Sequence, residues 1–364
     1  MMKQFNWHVF AIILFEGFLG GGTMEWISDW ADELKSAIWF VFGAYALVLF
    51  GIGFLILYLT KYIPEEFIGC TMFDYFLGRR IGAVFNILLF GALLIFAVKA
   101  LLMGVYLIHY TTLPYSPLWV LVLFTLIIPL QLLNSGIDAL LRFQAVTFYP
   151  ALILGVLLLL VSFRTSDFGN LLPALPTQPL ALPRLVPRVS EVLSGIALLV
   201  VYPPLFRSRR VSFQSLKRGF FYATIGILLL NLLNLLVVLS VFGPFEASTL
   251  QWIVLEVVRI QKIPGIFLER LDLIFLLPVL VAVVSAININ LFGAYHILSY
   301  YGNIKRHWGL VIVLGSIILL AIALSSLDRA HAVYELIDGA FELILICLVP
   351  VMYFTSIQRH LKGT

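Results

Sequence analysis

Charge is scarce in this chain of 364 residues. Aspartate, glutamate, lysine and arginine together make up 12% of it, against about 25% in an average soluble domain. Hydrophobic residues make up 62%, and mean hydropathy is +1.06. That balance excludes a water-soluble enzyme. The two cysteines, Cys70 and Cys347, provide neither a disulfide framework nor a metal cage and read as free thiols. The six histidines are scattered without metal-ligand spacing, and no phosphate loop, HExxH, CxxC or GxSxG pattern occurs. No cofactor, metal or catalytic role follows from them. The net charge of +4 is not gathered on one face, which excludes a nucleic-acid binder.

Apolar runs are what the chain has in abundance. A helix needs about 20 apolar residues to cross about 30 Å of hydrocarbon. Ten runs qualify, near 5–22, 38–60, 82–109, 117–134, 140–163, 186–206, 219–243, 270–300, 307–326 and 335–357. The expectation is an all-α integral membrane protein of ten transmembrane helices, forming one transmembrane domain over 1–364. Span one follows Lys3 as a signal peptide's core would, but it carries Glu16 and ends in glycines, so it is read as retained. Basic residues orient the whole. Lys61, Arg79, Arg80, the Arg207–Arg218 cluster, Lys305 and Arg306 fall on one side, and fewer, such as Lys35, Arg164 and Arg329, fall on the other. The richer side is cytoplasmic, which places both termini inside. Two short amphipathic helices are expected at the membrane surface, one within 62–80 on the inner side and one within 244–269 on the outer side.

Ten spans divide into repeat one, about 5–163, and repeat two, about 186–357. An odd number of spans per half inserts the second half upside down, the inverted-repeat plan of many carriers. In that plan spans one and six are interrupted. Span one contains GFLGGG and span six contains LSGIALLVVYPPLF, so breaks are expected in both.

The stretches MFDYFLGRRIG (72–82), SPLWVLVLF (116–124), NSGIDALLRF (134–143), NLLPALP (170–176), SGIALLVVYPP (194–204) and IFLERLDLIF (266–275) together resemble the B subunit of spore germinant receptors, the GerAB-type spore permeases. The resemblance runs the full length and keeps its order. It implies membership of the amino acid, polyamine and organocation superfamily and a LeuT-like 5+5 inverted repeat. It also implies a nutrient-sensing subunit in the spore inner membrane, working with germinant-receptor A and C subunits and surrounded by membrane lipid. Three positions depart from the family pattern. Ala197 stands where span six usually has a carboxylate, Trp26 and Ile27 replace a Pro-Arg pair, and around Val279 a tryptophan of span eight is missing.

A LeuT-like fold walls its central site with spans one, three, six and eight. Gly20, Gly21 and Gly22 either unwind span one, leaving bare amides for a ligand carboxylate, or form a small-residue packing face. Ser194 and Gly195 are the matching pocket candidates on span six, while Pro203 and Pro204 read as a kink or end of that helix. Ala92 and Phe96 share a face of span three. Ser285, Asn288 and Asn290 interrupt apolar span eight, where buried amides must either bond neighbouring helices or line a polar cavity. Ser285 and Asn290 are the chosen ligand candidates. Asn231 and Asn234 of span seven read as interhelical hydrogen bonders. Glu16, Lys99 and Glu342 are the intramembrane charges, each costing roughly 2.5–3.5 kcal/mol or more if unpaired. Lys99 could pair with Glu16 or Glu342, and Glu16 could titrate or bind an ammonium. Arg142, Glu269 and Arg270 sit at membrane boundaries. The leading expectation is a germinant sensor that binds a small nutrient such as an amino acid at mid-membrane. A proton-coupled amino acid transporter and a scaffold subunit are the alternatives.

Overall fold

A segment that crosses hydrocarbon must pair its amides and carbonyls within itself, which leaves the α-helix as the economical solution for these runs. The computed structural model describes residues 6–19, 26–34, 38–63, 72–172, 194–261, 270–302, 306–324 and scattered helical residues between 332 and 354. Among the described residues the regular structure is helical throughout. The helices are α1 (Trp7–Leu19), α2 (Trp26–Leu34), α3 (Ile38–Leu59), α4 (Met72–Leu77), α5 (Arg79–Thr111), α6 (Leu118–Ser135), α7 (Ile137–Ser162), α8 (Leu198–Ser208), α9 (Phe213–Ala247), α10 (Ile253–Arg259), α11 (Leu271–Gly302) and α12 (Arg306–Ala323). A 3-10 turn, Ser194–Ala197, leads into α8.

Among the described residues, six helices are long and apolar enough to cross a membrane, and three shorter apolar helices cover Trp7–Leu19, Gly195–Ser208 and His307–Ala323. These nine lie on the first nine expected runs; the tenth run, 335–357, is described only in part. On α6 the side chains of Trp119, Phe124 and Ile127 face outward, as helices bathed in lipid require.

Between the first two expected runs, WISDWADEL, with three acidic residues in nine, forms α2. Trp26, Ile27, Trp30, Ala31 and Leu34 fall on one helical face and are buried. There the Trp26 and Trp30 rings meet edge to face at 4.8 Å, and Trp26 stacks on Phe42 of α3 at 6.1 Å. The outer surface helix expected within 244–269 is α10, only seven residues long, and Ile253, Val254, Leu255, Val257 and Val258 are all buried. It caps the bundle instead of lying on lipid. Pro203 and Pro204 do not end span six, because α8 continues through both to Ser208. The inner helix expected within 62–80 is α4.

Helix α1 is seated by glycines on its neighbours. A side chain at Gly219 of α9 would meet the Trp7 carbonyl oxygen at 2.7 Å and the Phe10 ring at 2.8 Å, and one at Gly226 would meet the Phe15 ring at 3.0 Å. With buried Ala223 between them, these residues form a small-residue stripe that lets two helices approach closely. On the other side the packing is reciprocal: Leu198 lies over Gly17, and the Phe18 ring lies over Gly195.

At its outer end α9 turns at Gly243, whose φ of 69° suits a residue without a Cβ. Pro244 follows and has no amide to give, so the Ser240 carbonyl is released from the helix. The Asp167 amide donates to it at 2.8 Å and the Asn170 side chain at 3.2 Å. Near the C-terminal end of α11, Tyr301 donates to both carboxylate oxygens of Asp74 on α4, at 2.5 and 2.6 Å, and accepts from Asn86 of α5 at 2.6 Å. Burial pushes the Asp74 carboxyl above the ordinary carboxylate range, while Tyr301, the Arg79 charge and Asn86 pull it back. Nearby, Arg207 at the end of α8 donates to the carbonyls of Thr60 and Ile63.

Gly219→Ala is expected to destabilise the purified protein by about 1–3 kcal/mol through overpacking. Gly91→Ala, with nothing within 4 Å of the added carbon, should not; thermal unfolding in detergent compares them. Tyr301→Phe removes the donor that favours ionised Asp74, so the folded-state carboxyl should titrate higher still. Its stability loss of about 1–2 kcal/mol should be present near pH 8 and shrink as pH falls through the Asp74 titration, where the protonated carboxyl no longer needs the donor.

Candidate functional site

Glu16 lies one turn before the end of α1 and is 2% exposed. A carboxyl in that position needs a partner or a use. The groups acting on it are the burial itself and the Ser285 hydroxyl of α11. The approach stops short of a formed hydrogen bond, since Glu16 Oε2 and Ser285 Oγ both lack a partner among the described residues. Its carboxyl turns to Ser285 and not to Lys99.

Glu16 forms part of the wall of a cavity of about 90 Å³. Helix α1 supplies Phe15 and Leu19, α5 Met103, α7 a row from Phe148 to Leu159, α9 Leu230 and Asn234, α10 Val254, and α11 a row from Phe275 to Val283. The wall is apolar apart from Glu16 and Asn234. Phe148 meets Phe15 edge to face at 5.1 Å, and Gly155 of α7 lies beside Pro278 of α11. Val279 stands on this wall, at the point where the resemblance leads one to expect a tryptophan. The smaller residue leaves the space open. Among the described residues Asn234 Oδ1, like Glu16 Oε2 and Ser285 Oγ, has no hydrogen-bond partner. Neither amide atom of Asn231, one helical turn away, has one either, so these asparagines do not serve as the interhelical hydrogen bonders expected from sequence.

The other residues singled out from sequence fall in several places. Gly20, Gly21, Gly22 and Glu342 lie outside the described residues, as does Glu269. Ala92, Phe96 and Gly195 are buried but off the cavity wall, and the space over Gly195 is filled by Phe18. Ser194 begins the 3-10 turn before α8. Asn288 and Asn290 neither bridge helices nor line the cavity: their amides donate to the carbonyls of Val284 and Ala286 on their own helix, at 2.8 and 2.9 Å. Tyr202 ties α8 to α11 by donating to the Ile289 carbonyl at 2.7 Å. Lys99 is buried on α5. Arg270 pairs at 2.8 Å with Asp272 in the first turn of α11, anchoring the outer end of that helix. The sequence reading missed the α7 wall and Met103, since an all-apolar wall leaves no signal, and it noticed Asn234 but gave it a different role.

At the end of α10, Tyr110 and Glu256 surround Arg259, and their hydrogen bonds raise the guanidinium above its ordinary range. Among the described residues no three His, Cys, Asp or Glu side chains gather as metal ligands. The site's chemistry is therefore that of one carboxyl and two neutral oxygens beside an apolar space. It can hold a proton or an ammonium group.

The chain matches the spore permease family model, described as spore germination protein, over residues 9–330. It is 22% identical to spore germination protein B2 of Bacillus subtilis (strain 168), covering 96% of this chain and 95% of that one. With spore germination protein A2 of the same organism it shares 25% identity over 74% of this chain and 72% of that one. In fold it resembles MhsT solved in complex with L-phenylalanine, with a TM-score of 0.66, 14% identity, and 95% and 87% of the two chains covered. It also resembles Mhp1, a nucleobase-cation-symport-1 family transporter solved closed with bromovinylhydantoin bound, with a TM-score of 0.66, 13% identity, and 95% and 77% covered.

Val279→Trp should fill the cavity without disturbing α11. An apolar cavity takes up xenon, so crystals under xenon pressure should show density beside Val279 in the wild type and none in the variant.

Proposed function

The chain belongs to the spore permease family of spore germination proteins, and from that premise we propose that it is the nutrient-sensing B-type subunit of a spore germinant receptor. It is a multi-pass membrane protein and not an enzyme. Its ligand is a small nutrient, an amino acid in the first instance, taken up within the membrane-spanning bundle. The observation that carries this reading is the buried Glu16 carboxyl, without an ion-pair partner among the described residues and facing an apolar cavity.

The signal would be a population shift: a ligand that prefers one arrangement of the helices draws the chain toward it. The ten-span 5+5 plan supplies two interrupted helices as the moving parts. In support, span six enters α8 through the 3-10 turn at Ser194 and Gly195; Gly20, Gly21 and Gly22 of span one lie outside the described residues. In this reading the glycine amides receive the ligand carboxylate, and the moving inner ends, near Arg207 and Asp74, pass the shift to A and C subunits. The chain would sit in the spore inner membrane with both termini cytoplasmic.

A second reading, a proton-coupled amino acid transporter, draws support from Glu16 itself and from the transporter fold shared with Mhp1. Deleting the gene and testing spores against single amino acids and sugars separates the two. The sensor reading expects loss of germination to one nutrient class and no uptake by proteoliposomes holding the chain alone. Concentrative uptake by those proteoliposomes would sink the pure-sensor reading. Gly20→Val is expected to shift the nutrient dose response about tenfold, a change of about 1.4 kcal/mol, with membrane insertion intact.

A further inference from the structure

Among the described residues, three buried side-chain oxygens near one apolar space have no hydrogen-bond partner: Glu16 Oε2 and Asn234 Oδ1, whose residues wall it, and Ser285 Oγ of α11. Their residues are 2%, 5% and 0% exposed. Glu16 and Asn234 share the cavity wall, and Ser285 faces the Glu16 carboxyl. Buried acceptors of this kind are costly to leave unsatisfied, and an ammonium group, with three donors and no acceptor, matches the set. A hard metal ion matches it poorly, since it wants about six oxygens or more. The space beside them, about 90 Å³, is smaller than the roughly 150 Å³ apolar cavity that admits benzene. It suits a side chain of a few carbons.

We infer that the ligand of this cavity is a primary amine with a short branched apolar body, and that its ammonium group takes the place of a proton on Glu16. This rests on the reading of the cavity as the nutrient site. In the empty cavity the Glu16 carboxyl holds its proton, because an isolated charge buried among apolar side chains costs more than a neutral acid. As the ammonium arrives, the Glu16 O–H bond breaks, the proton leaves to solvent, and the carboxylate pairs with the ammonium. For a simple amine one positive charge enters and one departs, so the membrane interior gains no net charge; an amino acid also brings its carboxylate, the group assigned above to the glycine amides.

The surrounding titratable groups leave Glu16 as the site of exchange. Asp272 of α11 is engaged by Arg270, and Tyr202 of α8 by the Ile289 carbonyl. Glu256 of α10 pairs with Arg259. The cavity-facing residues of α7 and α9 carry no titratable side chain, and Lys99 of α5 lies one turn from Met103. On α1 itself, His8 stacks on Trp7 two turns away.

The test uses the purified full chain and three probes of one skeleton: L-valine, isobutylamine and 3-methylbutanoate. Calorimetric titrations near pH 7, in phosphate and in Tris, count the protons released. L-valine and isobutylamine should each bind with release of about one proton, and 3-methylbutanoate should not bind. Glu16→Gln should weaken both amines about tenfold or more, about 1.4 kcal/mol, and release no proton, while its unliganded thermal midpoint stays at or above that of the wild type. Asn234→Ala should weaken the amines but keep the proton release. Amine binding without proton release, unchanged binding by Glu16→Gln, a requirement for sodium, or equal binding of 3-methylbutanoate would each overturn the exchange. If neither amine binds, the ligand class is wrong. A nutrient-specific germination defect in the deletion strain would then still uphold the sensing role, and its absence with proton exchange intact would remove that role alone.

Discussion

The packing of α1 is the constraint on which the rest depends. Trp7 and Phe10 lie against Gly219, Phe15 against Gly226, Leu198 over Gly17, and Phe18 over Gly195. In lipid there is little hydrophobic gain from bringing two apolar helices together, so association rests on close van der Waals contact. Glycine on one surface and a ring or branched chain on the other provides it. That seat fixes where Glu16 points. A carboxyl on a loosely held helix would find lipid headgroups or water, whereas on this one it is held against Ser285 beside a cavity walled by five other helices.

The two ends of the bundle are held by a different kind of bond. On the inner side, Tyr301, Asp74 and Asn86 join α11, α4 and α5, and Arg207 ties α8 to the carbonyls that follow α3. On the outer side, Arg259, Glu256 and Tyr110 join α10 to α5. The contacts around Arg259 lie where water can compete for them, whereas Asp74 and Asn86 are buried and the middle is held by shape. Exposed contacts exchange partners at modest cost, since a lost hydrogen bond is largely replaced by one to water. The middle cannot be repacked so cheaply. Rearrangement is therefore easier around Arg259 than at the seat of α1.

Much of the architecture was legible in the apolar runs, because a membrane demands length and hydrophobicity and little else. The six long helices lie within a few residues of the runs marked from sequence. Helix α2 was illegible for the same reason: WISDWADEL is too polar and too short for a span, and only the tertiary burial of Trp26, Ile27 and Trp30 makes it a helix. At the site, Glu16 and Ser285 were legible as polar residues in apolar surroundings. Their meeting across α1 and α11 was not, since spacing along one helix carries no information about the facing one. The asparagines show the limit from the other side. Asn290 bonds back to its own helix, while Asn234 was assigned a bond between helices and instead leaves its oxygen beside the cavity.

Pro244 carries one more implication. By withholding an amide it frees the Ser240 carbonyl, which is then taken by Asp167 and Asn170. Those two residues close the first half of the chain, and Ser240 lies in the second. A proline thus works as a stitch between halves that no covalent link other than the connecting chain holds together. Through the backbone-to-backbone bond from Asp167, tilt in α9 pulls directly on the segment after α7. That end of the protein should accordingly turn as one piece.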